Sequence, residues 1–170
     1  MEIPTYIHYG STKFDPGKNF PISNRECWMK PKRGLWASRK DATYGWKDWC
    51  QREKFRICDI ANSFEFVMKD EIKIFTISNT VQLYSLPGIK EPLIHPSYYL
   101  IDFEKCLRLG IDAIELCWYG DEYRDVASGN LYEELYGWDC GSMVVLNPDA
   151  VIPLERSNER EASQCISSRT

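Results

Sequence analysis

Segments with the pattern of β-strands constrain the fold of this chain most. The segments "SFEFVMK" (63–69) and "IKIFTIS" (72–78) alternate with period two across a short Asp-Glu turn, which predicts adjacent antiparallel strands. "DAIELCW" (112–118) and "MVVLNPDAVIPL" (143–154) are strong strand patterns, and an Asn-Pro-Asp turn interrupts the second. The recognisable structure of the chain is therefore predicted to be mostly sheet.

The first third of the chain adds two more strands and a long connection. Residues 4–10 are rich in residues with high β-propensity and end at a Gly-Ser break, and "GLWAS" (34–38) is a short apolar run. Residues 12–32 lie between them as a loop rich in Pro, Gly, Asn and Lys. Loops of this length inside a domain often form lids or binding segments.

Helical patterns are few. Asp41 can cap a helix that runs to about Phe55 and buries its two tryptophans on one face. Asp102 can cap a second helix, which Gly110 ends. Residues 119–141 form an acidic, aromatic connection between the last two strands. The order of elements predicts an α+β fold with mostly antiparallel, split sheets and few helices.

Length and composition predict one folded domain. A chain of 170 residues that is 44% hydrophobic is long enough to bury one core. We assign residues 1–154 to this domain and residues 155–170 to a polar, flexible tail. The net charge of -4 gives no overall attraction to nucleic acid or anionic lipid. A local basic strip at residues 30–40, around Trp36, has the composition that binds phosphates and stacks bases, although a solvated loop of ordinary lysines is the more common form of such a run.

Several classes of function lack their usual signatures. No signal peptide or long apolar run is found, so we expect a cytoplasmic protein that does not engage a membrane. Seven cysteines without a C-x-x-C pair and only two histidines predict free thiols and no metal. The phosphate-binding, dinucleotide-binding and α/β-hydrolase glycine motifs are absent.

Taken in order, "IHYGS", "GLWAS" with "TYGW", and "GIDAIELCW" followed by "SMVVLNPDAVIPL" resemble successive blocks of the ADP-ribosyltransferases of the diphtheria-toxin and poly(ADP-ribose) polymerase type. The resemblance covers most of the chain. It implies a single-domain ADP-ribosyltransferase-like fold with NAD as a substrate. In that family, the first block holds the nicotinamide ribose and amide, the second forms the pocket wall, and the last carries a catalytic Glu.

In the first block, the resemblance assigns NAD binding to His8, Tyr9, Gly10 and Ser11. The family pattern has His directly before Gly, whereas here Tyr9 stands between them. Because side chains alternate along a strand, aligning on the glycine places Tyr9 in the histidine position and turns His8 to the other face. A bulge before Gly10 would return His8 to the histidine position, and we favour His8 over Tyr9. The alternative is that His8 is a hydrogen-bonded histidine of the sheet.

In the second block, Gly34, Trp36 and Ser38 match the strand that begins the pocket wall, with Trp36 where the family commonly has Tyr. Tyr44 falls where the family has the Tyr that stacks on nicotinamide. Aromatic rings supply the apolar surface that such stacking needs. The alternative is that Trp36 and Tyr44 are core aromatics.

The last block departs from the family pattern, because Ser142 stands where the catalytic Glu is expected. Asp139 can reach in from the preceding loop, with Ser142 as a polar partner, and this is the assignment we favour. Glu133 or Glu134 is the alternative, unless both lie in an exposed acidic loop. Glu115 is an unusual acid within an apolar strand, where a charge is normally paired or functional.

The resemblance implies transfer of ADP-ribose from NAD to a protein or nucleic acid, with release of nicotinamide. Small domains of this kind resemble toxins or phage-conflict effectors, which often have an inhibitor or antitoxin partner. Two other functions remain open: an NAD glycohydrolase, or a module that keeps the fold and binds NAD, another nucleotide or a partner without catalysis. The substitution at Ser142 favours the second of these.

Overall fold

The computed structural model describes residues 3–25, 27–56, 61–90, 99–117 and 131–155. Strands and short helices are mixed along these residues, so the fold is α+β, as predicted. The strands are β1 (Thr5–Tyr9), β2 (Leu35–Arg39), β3 (Ser63–Met68), β4 (Ile74–Ile77), β5 (Ala113–Leu116), β6 (Ser142–Val145) and β7 (Val151–Pro153). The helices are α1 (Pro16–Asn19), α2 (Trp46–Glu53), α3 (Thr80–Ser85), α4 (Phe103–Arg108) and α5 (Leu131–Glu134).

The strands of the described residues form one sheet in the order β4-β5-β6-β2-β1-β3-β7. Its pairs are antiparallel except for β4 with β5, which run parallel. The prediction that the segments 63–69 and 72–78 pair with each other is wrong, since β3 and β4 lie near opposite ends of the sheet. Period-two alternation identified both strands, but it carries no information on which strand lies beside which.

Each face of the sheet carries its own core. On one face, Ile114, Leu116 and Val144 pack with buried residues of α3, α4 and α5, including Leu83 and Phe103. We call this the helical face. The opposite face carries a second core, whose buried residues include Tyr6, Leu35, Phe64, Phe66, Met143 and Val145.

The connection between β1 and β2 contributes to both cores. Phe20 is buried on the second face with Phe14 packed against that core, whereas Ile22 and Met29 are buried on the helical face. α1 lies within this segment, and the Phe20-Pro21 peptide bond is cis. The loop predicted over residues 12–32 is therefore anchored by side chains that the sheet needs for packing.

Helix α2 begins later than predicted. Asp41 does not cap it: the helix starts at Trp46, where the Ser38 hydroxyl accepts a hydrogen bond from the Trp46 amide at 2.9 Å. Asp48 also accepts from the Gly45 amide at 2.8 Å. The buried residue of α2 is Cys50, so the expectation that both tryptophans of this helix are buried is also wrong.

The second predicted helix and the final strands are confirmed. Asp102 caps α4 by accepting from the Lys105 amide at 2.9 Å, and Gly110 follows the helix with a φ of 77°. The Asn-Pro-Asp turn separates β6 from β7 as a short 3-10 helix, Pro148–Ala150. The predicted tail lies outside the described residues from position 156 onward. In the part of the chain described, no helix has the length and apolar character of a membrane span.

Candidate functional site

A cavity of about 300 Å³ opens on the helical face where β1 and β2 separate. The two strands are in register at only two positions, Tyr6 with Arg39 and Ile7 with Ser38. Past these pairs the strands diverge, and the loop before β6 closes the far side of the opening. The residues that line the cavity are Ile7, His8, Tyr9, Lys30, Trp36, Ala37, Ser38, Trp46, Gly137, Asp139, Cys140 and Ser142.

His8 lies at the point of divergence. Its Nδ1 lies 2.7 Å from the Trp36 carbonyl oxygen, so the imidazole connects the two strands where their register ends. A carbonyl oxygen only accepts, so Nδ1 carries the proton. Burial lowers the pKa of His8, and the nearby Lys18 charge adds to this, while the bond to Trp36 opposes it. The neutral ring therefore keeps Nε2 as a hydrogen-bond acceptor.

The bulge expected before Gly10 is not present. β1 and β3 pair without interruption from Thr5 with Val67 to Tyr9 with Ser63. Regular alternation therefore places Tyr9 on the helical face and turns His8 toward Phe64, whose ring centroid is 5.2 Å away. Both residues still line the cavity, because the separation of β1 from β2 exposes the His8 ring at the strand edge.

Trp36 forms an aromatic wall of the cavity and also packs against the core. Its ring meets Trp138 edge-to-face with centroids 4.8 Å apart. The Lys30 ammonium lies 5.0 Å from the Trp36 ring centroid, within the range of a cation–π interaction. Trp138 is itself fixed by donating its indole N–H to the Met29 carbonyl at 3.0 Å. The wall is thus held rigidly by packing on its outer side.

Ser38 is buried and ties together three elements around the cavity. Its hydroxyl donates to the Gly141 carbonyl at 2.8 Å while accepting from the Trp46 amide. The Gly141 amide in turn donates to the Tyr44 carbonyl at 2.9 Å. These bonds fix the start of α2 and the start of β6 against β2, which explains why Trp46 and Ser142 meet at one opening.

Asp139 contributes a carboxylate to the cavity, and no other acid of the described residues lines it. Burial raises the pKa of Asp139, and the Lys30 charge opposes this rise. Burial likewise lowers the pKa of Lys30, with Asp139 opposing. The two side chains are electrostatic neighbours, although no direct ion pair joins them among the described residues. Asp139 is therefore a half-buried acid whose charge is only loosely compensated.

Ser142 and Cys140, which line the cavity near Asp139, are not activated as nucleophiles. The Ser142 hydroxyl donates to the Cys140 carbonyl at 3.1 Å, so it is turned toward its own chain. Burial raises the pKa of the Cys140 thiol to about 12, which keeps it protonated at neutral pH. A protonated thiol is a poor nucleophile, so covalent catalysis by Cys140 is disfavoured.

Four residues assigned to NAD binding lie outside the cavity lining. The Gly10 amide donates to the Asn62 carbonyl at 2.8 Å, and the Ser11 hydroxyl donates to the Lys13 carbonyl at 2.9 Å. The Tyr44 ring lies 5.8 Å below the Arg52 guanidinium. Gly34, at a φ of 117°, allows β2 to approach β6, since a Cβ there would lie 2.7 Å from a Val144 methyl.

The two glutamates considered as alternatives to Asp139 are also outside the lining. Glu133 is exposed on α5. Glu134 accepts from the Tyr84 hydroxyl at 2.7 Å and from the Tyr99 amide at 3.0 Å. Its carboxylate therefore joins α5 to α3 and to the chain before α4.

Glu115 lies on the face opposite the cavity and is paired. The Arg39 guanidinium donates to both carboxylate oxygens, at 2.6 Å and 2.8 Å. This interaction raises the pKa of Arg39. The nearby Tyr6 hydroxyl is buried and without a hydrogen-bond partner among the described residues. Burial is the main cause that raises the pKa of Tyr6, with the Glu115 charge second.

A second cavity of about 360 Å³ adjoins the first. It shares Ile7, Tyr9, Ser38 and Trp46 with the first cavity and continues along the start of α2. Lys40, Lys47 and Glu65 lie on its rim, where Lys40 and Glu65 form an ion pair of 2.9 Å. The two cavities together form an elongated groove with an aromatic end and a charged end.

Trp46 is the aromatic lining residue that the sequence-based prediction missed, along with Ile7, Ala37, Gly137 and Cys140. It follows "TYG" directly, but its helical spacing with Trp49 indicated a buried helix face instead. The structure shows that α2 begins at Trp46, and this position brings the Trp46 side chain to the opening of the groove. Lys30 was recognised only as part of the basic strip around Trp36.

Among the described residues, no group of His, Cys, Asp and Glu side chains is arranged to hold a metal ion. Comparison with family models, with curated proteins and with solved structures gives no match.

Proposed function

We propose that this chain binds NAD in the groove and transfers its ADP-ribose group to a macromolecule, releasing nicotinamide. The observation that carries the proposal is the cavity at the separation of β1 and β2, where Tyr9, Trp36 and Trp46 surround a space lined by Asp139. Mostly apolar pockets with a few placed polar groups are the usual form of ligand sites. The resemblance described from the sequence selects NAD among the possible ligands.

Asp139 is suited to the charge that develops in this reaction. When the bond between ribose C1′ and nicotinamide breaks, its electron pair leaves with nicotinamide, and positive charge accumulates on the ribose. A fixed negative charge in a partly desolvated site stabilises such a state. The acceptor then attacks C1′ and loses a proton, which Asp139 can take because burial raises its pKa.

His8 is suited to hold the ribose. With Nδ1–H bonded to the Trp36 carbonyl, Nε2 can accept a hydrogen bond from a ribose hydroxyl. The low pKa of His8 keeps this acceptor available at neutral pH. The aromatic rings of Tyr9, Trp36 and Trp46 supply planar surfaces for nicotinamide. The adjoining cavity, with Lys40 and Lys47 on its rim, provides room for the rest of the dinucleotide.

Calorimetry with NAD, followed by incubation with NAD labelled in the ADP-ribose part, tests the proposal. We expect binding, nicotinamide release, and label on a macromolecule when a cell extract is supplied. Tyr9→Ala should weaken binding by at least about fivefold through lost stacking. Tyr136→Ala, which removes a 62% exposed tyrosine outside the lining, is the matched control. Absence of NAD binding by the unaltered protein would refute the assignment of the groove.

A second function is favoured by one observation: Ser142 stands where the resemblance expects the catalytic Glu, and its hydroxyl is bonded to the Cys140 carbonyl. In this case the chain binds NAD or another nucleotide but does not cleave it. Binding by calorimetry with no nicotinamide release would select this function. Label found only as free ADP-ribose would select an NAD glycohydrolase.

A further inference from the structure

Helix α2 presents an aromatic surface beside the groove. Trp46 and Trp49 stack with centroids 5.0 Å apart and an interplanar angle of 17°. Phe55 meets Trp49 edge-on at 5.4 Å and Trp46 at 6.4 Å. Lys54 ends the helix in a left-handed conformation with a φ of 53°, and Phe55 follows it with 45% of its surface exposed. We call Trp46, Trp49 and Phe55 the aromatic platform.

The segment that carries the platform is basic, although the chain is acidic overall. The segment 46–56 contains four Lys and Arg residues and two acids, whereas the whole chain has a net charge of -4. The Arg56 guanidinium lies 5.7 Å from the Phe55 centroid. The acids are engaged locally, Asp48 with the Gly45 amide at 2.8 Å and Glu53 with Arg52 at 3.8 Å. The segment therefore carries two more positive than negative charges, and one of its cations lies against a platform ring.

The composition of the platform distinguishes between kinds of partner. The segment 46–56 contains no Val, Ile, Leu or Met. Protein-docking helices use such residues to bury an apolar stripe. Membrane-surface helices bury Trp, Phe and Leu and keep Lys and Arg on the opposite face, whereas the Arg56 guanidinium lies against the Phe55 ring. Partly exposed rings interleaved with Lys and Arg, as Trp46, Trp49 and Phe55 are here, are instead the arrangement that stacks bases and contacts phosphates of a single strand.

We propose that the aromatic platform binds single-stranded nucleic acid and delivers it to the groove as the acceptor of ADP-ribose. The inference rests on the proposed function for the acceptor role, but the binding itself does not depend on NAD. Trp46 belongs to both the platform and the cavity lining, so a nucleotide stacked on the platform lies next to the opening that holds Asp139. A nucleophilic oxygen or nitrogen of that nucleotide attacks C1′ of the ribose and loses its proton as nicotinamide leaves.

Fluorescence anisotropy with labelled single-stranded DNA and RNA of about 16 nucleotides tests the binding directly, without NAD. We expect binding that weakens steeply between about 50 mM and about 200 mM salt, because phosphate contacts release counterions. Trp49→Ala should reduce affinity at least fivefold, and Arg56→Gln should reduce the slope of log affinity against log salt by about 0.7. Both residues lie outside the cavity lining.

Matched controls come from other surfaces of the same chain. Trp28→Ala removes a tryptophan with 56% of its surface accessible, and Arg108→Gln removes a cation from α4. Neither change should alter nucleic-acid affinity. If Trp49→Ala fails to fold, Arg56→Gln still tests the proposal, because Arg56 is exposed and follows the helix.

The outcomes separate this inference from the function it extends. No binding of either nucleic acid at about 50 mM salt, or equal losses in the control variants, overturns the inference. Platform-dependent binding to phosphatidylserine vesicles in place of oligonucleotides also overturns it. If nicotinamide is released from NAD but oligonucleotides are not bound, the inference fails and the proposed function stands. If oligonucleotides bind through the platform while NAD does not bind, the surface assignment stands and the proposed function fails.

Discussion

The two faces of the sheet each hold a carboxylate that is partly or fully removed from water, and the two are stabilised differently. Glu115 is 3% exposed and receives two hydrogen bonds from the Arg39 guanidinium. Asp139 is half-buried at a cavity, with Lys30 as its electrostatic neighbour and no direct ion pair between them in the described residues. Of these two acids, the incompletely compensated carboxylate beside open space is the better candidate for a catalytic group.

The largest effect we expect is at Asp139. Asp139→Asn keeps the shape of the side chain but removes the charge, and we expect nicotinamide release to fall by about 100-fold to about 1000-fold. The free energy of unfolding should stay the same or rise slightly, because burial disfavours the charged form of Asp139. Steady-state kinetics and urea unfolding measure the two effects. Glu133→Gln, an exposed acid nearby in sequence, is the control, and an equal loss of activity there would contradict the role of Asp139.

Glu115 should show the reverse behaviour. Glu115→Gln leaves the Arg39 guanidinium without its carboxylate, and we expect the free energy of unfolding to fall by about 2–4 kcal/mol. We expect the loss of unfolding free energy to lie near the lower end of this range, because 39% of the Arg39 side chain reaches solvent. The double variant Glu115→Gln, Arg39→Met should recover part of the loss in urea unfolding. If Glu115→Gln instead abolishes activity while stability is unchanged, the distinction between the two acids is wrong.

The positions of the strands and helices were easier to predict from the sequence than the order of the strands in the sheet. β5 and β6 were recognisable because alternation, apolar character and the Asn-Pro-Asp turn are local properties. The distance between β3 and β4 in the sheet was not, because strand pairing depends on contacts between residues far apart in sequence. α3 was missed for a related reason: it is a six-residue helix whose one buried residue is Leu83. A single buried position gives no helical period.

The residues that line the cavity were likewise predicted from the sequence only in part. Trp36 and Asp139 were selected from the sequence, and the structure places both in the cavity lining. The contribution of Trp46 depends on the helix starting at that residue, and the distant Ser38 hydroxyl stabilises this start together with Asp48. The orientation of His8 depends on where the register of β1 with β2 stops. The register of β1 with β2 leaves no local signal, whereas the start of α2 has one in Asp48, which accepts from the Gly45 amide.

The smallest effect we expect concerns His8, whose ring packs against Phe64 of the second core and also lines the cavity. Its folded pKa lies below the ordinary value of 6.5, so the unfolded chain takes up a proton first as the pH falls. The free energy of unfolding should therefore be constant well above 6.5 and decrease as the pH falls from 6.5 toward the folded pKa. Urea unfolding at about pH 7.5 and about pH 5.5 measures this loss. His8→Gln should show a smaller loss than the unaltered protein, with His95 present in both. If the two proteins lose stability equally, the imidazole is not desolvated at the separation of the strands, and its assignment as a neutral acceptor in the cavity fails.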